Sequence, residues 1–479
     1  MATTEIVWFR RDLRVRDHPA LRGATTDAER VVPVFVVDPT ITGGSAASGP
    51  RAHFLAGCLK ELDAALRERG GRLVVRHGDP ADVLVALAEE VDAGAVRWTS
   101  DASPHARRRD ARVTDALEAV GVRAVPSPGQ YVADPSEPRT GQGKPYTVFS
   151  PFHRVWEHQD RRRVLDAPRT LTVPQVAGDG LPSPDDVGAG GLPDVPEPFA
   201  EPGEEAGLKA ARGWLDGPIQ DYDDLHDVLA GKEGSSRAAG GTSGLSAHLR
   251  WGTISPRWLE ARARKLSGEG PAAFVRQLAW RDFYAHVYLF HPEDRRRAHQ
   301  ARFRDLTWEP DEEALEAWKA GRTGYPLVDA GMRQLAATGW MHNRARLVVG
   351  SFLTKDLHVD WTAGERHFYA LLQDGEPTQN DGNWQWVTSI GVDPKPYFQR
   401  MFNPTRQLVR FDPRGRYVRR WVPELAHVPD ERIAEPWKMG PIEQQEAGCV
   451  IGEDYPAPIV DHAEERERAA ARYRAAGES

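Results

Sequence analysis

DGEPTQNDGNWQW, from Asp374 to Trp386, is the stretch around which the rest of the chain is organised. It is polar and rich in glycine and amide residues, as solvated loops are, but it runs into two tryptophans. Because large aromatic side chains are unusual in such a loop, the pattern predicts a loop that folds inward against a flat partner. The alternative is a surface loop whose tryptophans, Trp384 and Trp386, belong to the core.

Composition limits the class of protein. The chain has 479 residues, of which 28% are charged and 40% hydrophobic, and a net charge of −8. That size predicts two or more domains, and the ordinary composition predicts a soluble protein. The two cysteines form no CxxC pair, so we expect a reducing, cytoplasmic compartment and no disulfide framework or Cys-rich zinc site. No metal site, signal peptide or membrane span is predicted.

The first 130 residues alternate between strand and helix patterns, which predicts a doubly wound parallel five-stranded sheet. The predicted strands are Glu5–Phe9, Val31–Val37, Arg72–Arg76, Ala95–Thr99 and Val122–Val125, and the helices between them include Pro50–Arg69, Ala81–Val91 and Pro104–Val120. Ligands of such sheets lie at the carboxyl ends of the strands. No GxGxxG opens a helix, so a standard dinucleotide site is not expected, and a plain scaffold remains the alternative.

The remainder of the chain is predicted to be a connector followed by a helical domain. Residues 165–205 are rich in proline, glycine and aspartate, and we interpret 131–205 as a connector that runs over the surface. Residues 206–479 show helical patterns almost throughout. The predicted helices include Glu204–Leu215, Ala272–Phe290, Asp311–Ala320, Leu327–Thr338 and Asn343–Asp356.

Gly240–Leu249, GGTSGLSAHL, leads into one of these helices. The free N–H groups at a helix N-terminus, with the hydroxyls of Thr242, Ser243 and Ser246, would bind a phosphate or pyrophosphate. A plain helix cap explains the same residues.

On the helix that contains QLAWRDFY, four side chains share one face: Gln277, Trp280, Arg281 and Tyr284. This combination suits a surface that stacks bases and holds phosphates. The alternative is an aromatic core stripe with an arginine at its edge.

Basic residues are concentrated in two further segments. GWMHNRARL brings Asn343, Arg344 and Arg346 close to a tryptophan. Between Thr405 and Trp421 lies a set of arginines that we call the basic patch: Arg406, Arg410, Arg414, Arg416, Arg419 and Arg420. Such a patch in an acidic protein indicates contact with nucleic-acid phosphates, although a solvated run of charge is the alternative.

With these motifs together, the chain resembles the photolyase/cryptochrome flavoprotein family over nearly its whole length, most closely its bacterial cyclobutane-dimer photolyases. The segments that carry the resemblance are VWFRRDLRVRDHPAL, GTSGLS, QLAWRDFY, TGYPLVDAGMRQL, GWMHNRARL, SFLTKDLHVDW, DGEPTQNDGNWQW and PYFQRMFNPTRQ. The resemblance implies light-dependent repair of UV-damaged DNA, with no membrane and no obligate protein partner.

The resemblance also implies an FAD cofactor, fully reduced in the active state, and its binding residues. The FAD-binding residues would be Tyr222, Thr242, Ser243, Gly244, Leu245, Ser246, Arg346, Asp374, Glu376 and Asn380, with the pyrophosphate on residues 242–246. Arg346 would pair with Asp374, and Asn380 would face flavin N5. Trp384, Trp361 and Trp308 would pass electrons from the surface to the flavin. For each tryptophan, packing is the alternative. Glu376 departs from the more usual Asp, and the segment from Tyr222 to Thr242 is longer than usual.

The lesion pocket implied by the resemblance has stacking walls and polar groups. Trp280 and Trp386 would stack on a flipped-out pyrimidine dimer, and Gln277 and Asn343 would form hydrogen bonds with it. The remaining DNA contacts would be Arg281, Tyr284, Arg344 and Gln407. Gln277 replaces the usual Glu and Leu347 a common Met. The (6-4) photolyases share this Gln but have a His pair that is absent here, so cyclobutane dimers are favoured.

An antenna chromophore is also implied. TSGLSAHLRWG resembles the deazaflavin-type enzymes more than the methenyltetrahydrofolate type, and Arg51, Asp101 and Arg250 are the candidate contacts. Two other functions remain open. A cryptochrome-like photoreceptor is suggested by Gln277, and a flavin electron-transfer protein that does not bind DNA would need an inert basic patch.

Overall fold

A parallel sheet forms the centre of the N-terminal part. The computed structural model describes residues 3–43, 47–231 and 240–478. Within these ranges five strands form one sheet in the order β3-β2-β1-β4-β5. The strands are β1 (Thr4–Phe9), β2 (Arg30–Val37), β3 (Val74–His77), β4 (Ala93–Thr99) and β5 (Arg123–Ser127). All pairings are parallel, so the predicted doubly wound sheet is confirmed.

Two helices cover each face of this sheet, because its strands are apolar on both sides. The helices are α1 (Pro19–Asp27), α2 (Gly49–Arg67), α3 (Pro80–Glu90) and α4 (Pro104–Ala119). Side chains of α1 and α2 pack on one face and those of α3 and α4 on the other. Each helix has a proline in its first turn, and the side chains of Ser48, Asp79 and Ser103 cap α2, α3 and α4.

The connector differs from its prediction, because part of it lies in the core. Helix α5 (Phe149–His158) forms inside it and buries Phe152 and Trp156, which are 0% and 1% exposed. Further along, Leu171 and Val176 are buried against the sheet domain. The proline-rich composition concealed these apolar residues, whose burial holds the connector against both parts of the protein. The predicted domain boundaries at 130 and 205 remain a prediction.

After the connector the chain is helical, as predicted. The helices are α6 (Glu204–Leu215), α7 (Tyr222–Leu225), α8 (Ser246–Trp251), α9 (Pro256–Ala263), α10 (Glu269–Phe290), α11 (Glu312–Lys319), α12 (Pro326–Thr338), α13 (Asn343–Lys355), α14 (Trp361–Leu371), α15 (Pro377–Thr388), α16 (Pro404–Phe411), α17 (Arg416–Trp421), α18 (Pro441–Ala447) and α19 (His462–Glu478). Short 3₁₀ turns lie at Pro218–Asp221, Pro292–Arg296, Ala301–Phe303, Tyr397–Arg400, Pro423–Leu425 and Pro436–Lys438. Across the described ranges, none of the helices combines the length and the apolar character that crossing a bilayer requires.

The stretch Asp374–Trp386 is not the loop that its composition predicts. It forms the start of α15, because Pro377 occupies the first turn and the Glu376 carboxylate accepts the Gln379 N–H at 2.9 Å as a helix cap. Trp384 is 3% exposed and packs in the core, as the alternative interpretation predicted for it.

Candidate functional site

A cavity of about 500 Å³ opens between α8, α10, α13 and α15. Most of the predicted cofactor and DNA residues line it. These are Tyr222, Thr242, Ser243, Gly244, Leu245, Ser246, Gln277, Trp280, Arg281, Tyr284, Asn343, Arg344, Arg346, Asp374, Glu376, Asn380, Trp384 and Trp386. The helical fold thus brings together residues that are 165 positions apart in the sequence, since the lining runs from Tyr222 to Val387. A concave site with a few converging polar groups is typical of a ligand pocket.

Asp374 and Arg250 place two buried polar atoms at the deep side of the cavity. Asp374 Oδ2 accepts a hydrogen bond from Arg346 Nη2 at 2.8 Å, as predicted, while its Oδ1 has no partner among the described residues. Arg250 Nε donates to the Gly375 carbonyl at 2.9 Å, and in the same described ranges its Nη1 has none. Burial, together with nearby Arg11, lowers the pKa of Arg250 to about 9. Asp374 Oδ1 as an acceptor and Arg250 Nη1 as a donor therefore remain available for the polar edge of a planar ligand.

The Asn380 side chain is fixed from behind by Glu365. Its amide nitrogen donates to the Glu365 carbonyl at 3.0 Å and to Glu365 Oε1 at 2.8 Å. The amide oxygen is consequently the polar atom left for the cavity. Burial and the neighbouring Glu365 raise the pKa of Asp381, the residue directly after Asn380, well above its usual value.

The segment from Gly240 to Ser246 borders the cavity just before α8. Gly244 has a positive φ of 71°, and the Ser243 hydroxyl accepts the Leu245 N–H at 3.4 Å. The Ser246 hydroxyl accepts from Trp340 Nε1 at 3.1 Å. The predicted small and hydroxyl residues are therefore at the cavity. The longer insertion before them includes residues 232–239, which lie outside the described residues.

Two tryptophans form the aromatic walls. The Trp280 ring is stacked on Phe149 of α5, with ring centroids 3.7 Å apart and planes 8° apart. The guanidinium of Arg400 lies 4.0 Å over the Trp386 ring. Each indole is thus held by a partner outside the cavity.

The polar groups at the rim are Gln277 and Asn343. Both are exposed, and both line the mouth of the cavity near Leu347. Their amides can donate to or accept from a ligand.

The predicted phosphate-binding arginines have partners within the protein. Arg281 donates to the carbonyls of Gln130 at 2.7 Å and Leu249 at 3.2 Å. Arg344 forms an ion pair with Asp227 and a 3.4 Å hydrogen bond to Gln407 Oε1. A guanidinium has five N–H groups, and phosphate contacts would use those that do not take part in these intramolecular bonds.

Gln407 and Tyr284 do not lie at the exposed rim of the cavity, and their contact with DNA stays a prediction. Gln407 lies behind Arg344 rather than in the cavity lining. Tyr284 is 5% exposed and forms part of the wall rather than of the rim.

The three predicted electron-transfer tryptophans run from the interior towards the surface. Trp384 and Trp361 are 3% and 4% exposed and share one apolar cluster, and the partly buried Trp308 packs against its edge. Arg472 lies 4.9 Å over the Trp308 ring. Gly364 makes room for Trp384: a Cβ at Gly364 would lie 2.2 Å from Trp384 Cη2.

Arg11 links the sheet domain to the cavity. It follows β1 and binds Asp101 Oδ2 at 2.9 Å and Glu376 Oε1 at 3.1 Å. Burial alone would lower the pKa of Arg11, but Asp101 and Glu376 outweigh it, and the net pKa is raised. Burial would likewise raise the pKa of Glu376, yet Arg11 and Thr378 hold it below its usual value.

The three candidate antenna contacts have different surroundings. Asp101 is engaged by Arg11, and Arg250 lines the main cavity. The Arg51 guanidinium lies 3.9 Å over the Tyr369 ring, beside Gly375.

Several functional neighbours were not predicted, namely Asp227, Glu365, Gln379, Trp340 and Phe149. Trp340 and Gln379 lie inside the quoted motifs GWMHNRARL and DGEPTQNDGNWQW, whereas Asp227, Glu365 and Phe149 are brought to the site by tertiary contacts.

The basic patch lies on and between α16 and α17. Arg406, Arg410, Arg414, Arg416 and Arg420 are exposed. Arg419 is partly buried and pairs with Asp430 at 2.8 Å. The patch therefore offers exposed cations close to Arg344, which lies over Phe411 at 4.4 Å.

Two protein families match the chain. The family described as DNA photolyase matches residues 5–174, and the one described as FAD binding domain of DNA photolyase matches residues 274–475. The chain is 46% identical to the deoxyribodipyrimidine photo-lyase of Streptomyces griseus, over 97% of each protein.

Solved structures agree with these matches. A bacterial class III photolyase from Agrobacterium tumefaciens is similar with a TM-score of 0.92 and 35% identity, over 100% of this chain and 98% of that one. A cryptochrome from Synechocystis has a TM-score of 0.89 and 28% identity, over 98% and 99%.

Proposed function

Because the chain belongs to the DNA photolyase family, we propose that it is a carbon–carbon lyase that splits cyclobutane pyrimidine dimers in UV-damaged DNA under light. The observation that carries this proposal is the continuity of one cavity. The same 500 Å³ space is lined by the cofactor residues around Asp374 and by the aromatic walls Trp280 and Trp386. A lesion stacked on those walls would lie next to the cofactor.

The chain has an FAD-binding domain, and its residues fit the flavin. Asp374 Oδ1 can accept an N–H of the ring system and Arg250 Nη1 can donate to a ring carbonyl, so both buried atoms gain partners. When bound and reduced, the flavin supplies one electron on excitation and takes it back after both cyclobutane carbon–carbon bonds break, without net oxidation or reduction.

Trp280 and Trp386 would stack on the flipped dimer and exclude water from it. A dimer distorts the base stack, which lowers the cost of flipping and favours damaged over undamaged sites. Gln277 and Asn343 would donate N–H groups to pyrimidine carbonyls at the rim. Exposed arginines of the basic patch would neutralise the neighbouring phosphates, so binding should weaken as salt rises.

Asn343 and Leu347 support cyclobutane dimers over (6-4) products, whereas Gln277 is shared with the (6-4) photolyases. Gln277 can donate a hydrogen bond but no carboxyl proton. The (6-4) photolyases have a pair of histidines at the positions of Asn343 and Leu347. Neither the Asn343 nor the Leu347 side chain can deliver a proton to a lesion.

We further propose a deazaflavin antenna, in preference to methenyltetrahydrofolate, and a cytoplasmic location. The antenna proposal is supported by the segment TSGLSAHLRWG, which resembles the deazaflavin-type enzymes. Release of the chromophore by heat, followed by its absorption spectrum, would identify it. The compartment is supported by two buried free thiols, Cys58 and Cys449, which suit a reducing environment.

A cryptochrome-like photoreceptor is the second candidate. Gln277 in place of the usual Glu favours it, as does the similarity to the Synechocystis cryptochrome.

The deciding experiment illuminates the purified protein, with its flavin reduced, together with oligonucleotides that carry either a cyclobutane dimer or a (6-4) product. Return of pyrimidine absorbance with the cyclobutane substrate, and none in the dark, is expected. Repair of the (6-4) product alone would contradict the choice of lesion. Repair of neither, with flavin photoreduction intact, would favour the photoreceptor.

A further inference from the structure

A cluster of His291, Asp294 and His299 lies just after α10, outside the main cavity. Each residue offers one ligand atom, and these atoms all lie within 4.8 Å of one another. His299 Nδ1 and Asp294 Oδ2 are 2.6 Å apart, and the rings of His291 and His299 are 5.0 Å apart at 86°. We propose that these three side chains bind a divalent transition-metal ion, with Zn²⁺ as the best fit.

The donor set suits such an ion. Two imidazoles and one carboxylate are ligands of zinc and of neighbouring transition metals, whereas magnesium and calcium prefer oxygen alone. Asp294 is 3% exposed, and His291 Nε2 is buried without a hydrogen-bond partner in the described part of the chain. A buried nitrogen without a partner is costly, and a metal ion would satisfy it.

The geometry requires only a local adjustment. Tetrahedral zinc with bonds near 2.0–2.1 Å separates its ligand atoms by about 3.3 Å. The most distant pair would therefore approach by roughly 1.5 Å, while the Asp294–His299 contact would lengthen. The side chains of His291 and His299 are 25% and 22% exposed, which leaves access for the ion and for a water as fourth ligand.

The surrounding charges do not oppose a cation strongly. Arg295 is directed to Asp381, 3.5 Å away, and Arg296 and Arg297 are exposed. Glu293 Oε1 lies 3.7 Å from His291 Nδ1 and adds a negative charge.

A bound metal would also fix the wall of the main cavity. Gln385 lies between Trp384 and Trp386. Its side-chain amide donates to the Asp294 backbone carbonyl and accepts a hydrogen bond from the His299 backbone N–H at 3.2 Å. The metal would hold Asp294 and His299, the two residues to which the Gln385 side chain is hydrogen-bonded. It would thus act as a positioning element for α15 and not as a reactant.

The test is a Co²⁺ titration of the metal-free, FAD-loaded protein with its flavin oxidised, followed by displacement with Zn²⁺. Tetrahedral Co²⁺ absorbs in the visible range, and we expect such bands to saturate at one equivalent and to disappear on adding Zn²⁺. His291→Ala should weaken binding by at least about 10-fold, because it removes a ligand. His427→Ala, at an exposed histidine, is the matched control and should change nothing.

His291→Ala leaves the Asp294–His299 hydrogen bond intact, so its circular dichroism should match that of the parent protein. In melting experiments, Zn²⁺ should raise the Tm of the parent and of His427→Ala but not that of His291→Ala. Absence of the bands even with Co²⁺ in large excess would overturn the proposal. So would binding that His291→Ala leaves unchanged, since the ion would then lie elsewhere.

Discussion

At the residue scale, the two ends of the cavity have different chemistry. At the inner end Trp384 is packed among apolar groups, with Phe368 at 5.1 Å and Trp318 at 6.3 Å between ring centroids. At the outer end Gln277 is exposed to solvent. A substitution at the inner end should therefore affect how the cofactor is reduced, and one at the outer end how the lesion is held.

We expect Trp384→Phe to abolish photoreduction of oxidised FAD, because phenylalanine is much harder to oxidise than tryptophan. Splitting of dimers by chemically reduced protein should persist. Flash absorption would show both results. Trp361→Phe should reproduce the loss. Trp318→Phe, which also alters a neighbour of Trp384, should leave photoreduction intact. A loss of photoreduction in Trp318→Phe would mean that electrons reach the flavin by another route.

Gln277→Ala should lower affinity for cyclobutane-dimer DNA by about 3- to 10-fold, which corresponds to one neutral hydrogen bond of roughly 0.5–1.5 kcal/mol. Gln277→Glu should bind at least as well as the parent if the rim is built for cyclobutane dimers. The assay is fluorescence anisotropy with damaged and undamaged duplexes. Gln445→Ala, at an exposed glutamine on α18, is the control. Equal affinity in Gln277→Ala would exclude this residue from lesion contact.

At the scale of elements, α10 is clamped by the connector. The Asp282 Oδ2 atom accepts hydrogen bonds from the N–H groups of Val132 and Ala133, each at 3.1 Å, and from Trp156 Nε1 at 2.9 Å. Because α10 also carries Gln277 and Trp280, this clamp fixes one wall of the cavity.

Burial raises the pKa of Asp282 from 3.8 to about 6. The folded state therefore binds the proton more tightly than the unfolded chain, and stability from this group falls as pH rises from about 4 to beyond 6. Asp282→Asn removes that dependence. Its stability relative to the parent should rise by roughly 1 kcal/mol between pH 5 and pH 8, as measured by urea unfolding. Asp115→Asn, at an exposed position, should show a flat difference. A flat difference for Asp282→Asn as well would mean that the carboxylate is charged at both pH values.

The regular elements were predictable and the irregular ones were not. The strands and helices of residues 1–130 follow strong alternation, so their predicted bounds differ by only a few residues. Asp374–Trp386 was read as a loop from its glycine and amide content, although Glu376-Pro377 is a helix-start signal. Helix α5 was missed because residues 131–205 were interpreted as a surface connector, and Phe149 supports the cavity wall only through its stacking on Trp280.

The site was predicted mainly through motifs, which identified most cavity residues. The supports behind them depend on distant contacts. Glu365 meets Asn380 only because α14 and α15 are neighbours. The metal ligands are three residues of one polar segment whose proximity depends on how that segment turns after α10.

At the scale of the whole molecule, Arg11 joins the sheet domain to the helical domain. We expect Arg11→Met to destabilise the protein by about 3–5 kcal/mol, because it leaves Asp101 and Glu376 buried without their cation. Arg11 holds the pKa values of both carboxyls below their usual range, so the stabilisation is present above about pH 4.5 and is lost at lower pH. Urea unfolding and FAD retention would report the effect.

Arg67→Met is the matched control, since Arg67 pairs with Asp63 but its side chain is 63% exposed. It should cost less than about 1 kcal/mol. If Arg11→Met lowered the stability of the protein as little as Arg67→Met, the two domains would be held together by other contacts.

The close approach of Gly364 to Trp384 restricts how this sequence can drift over generations. Any side chain at position 364 would collide with the indole, so it can be accepted only after the ring has become smaller. A smaller ring, however, would no longer serve as an electron donor. A side chain at position 364 can therefore appear only after a change at position 384. If Trp384 has its predicted electron-transfer role, a side chain at position 364 marks descendants that have lost photoreduction.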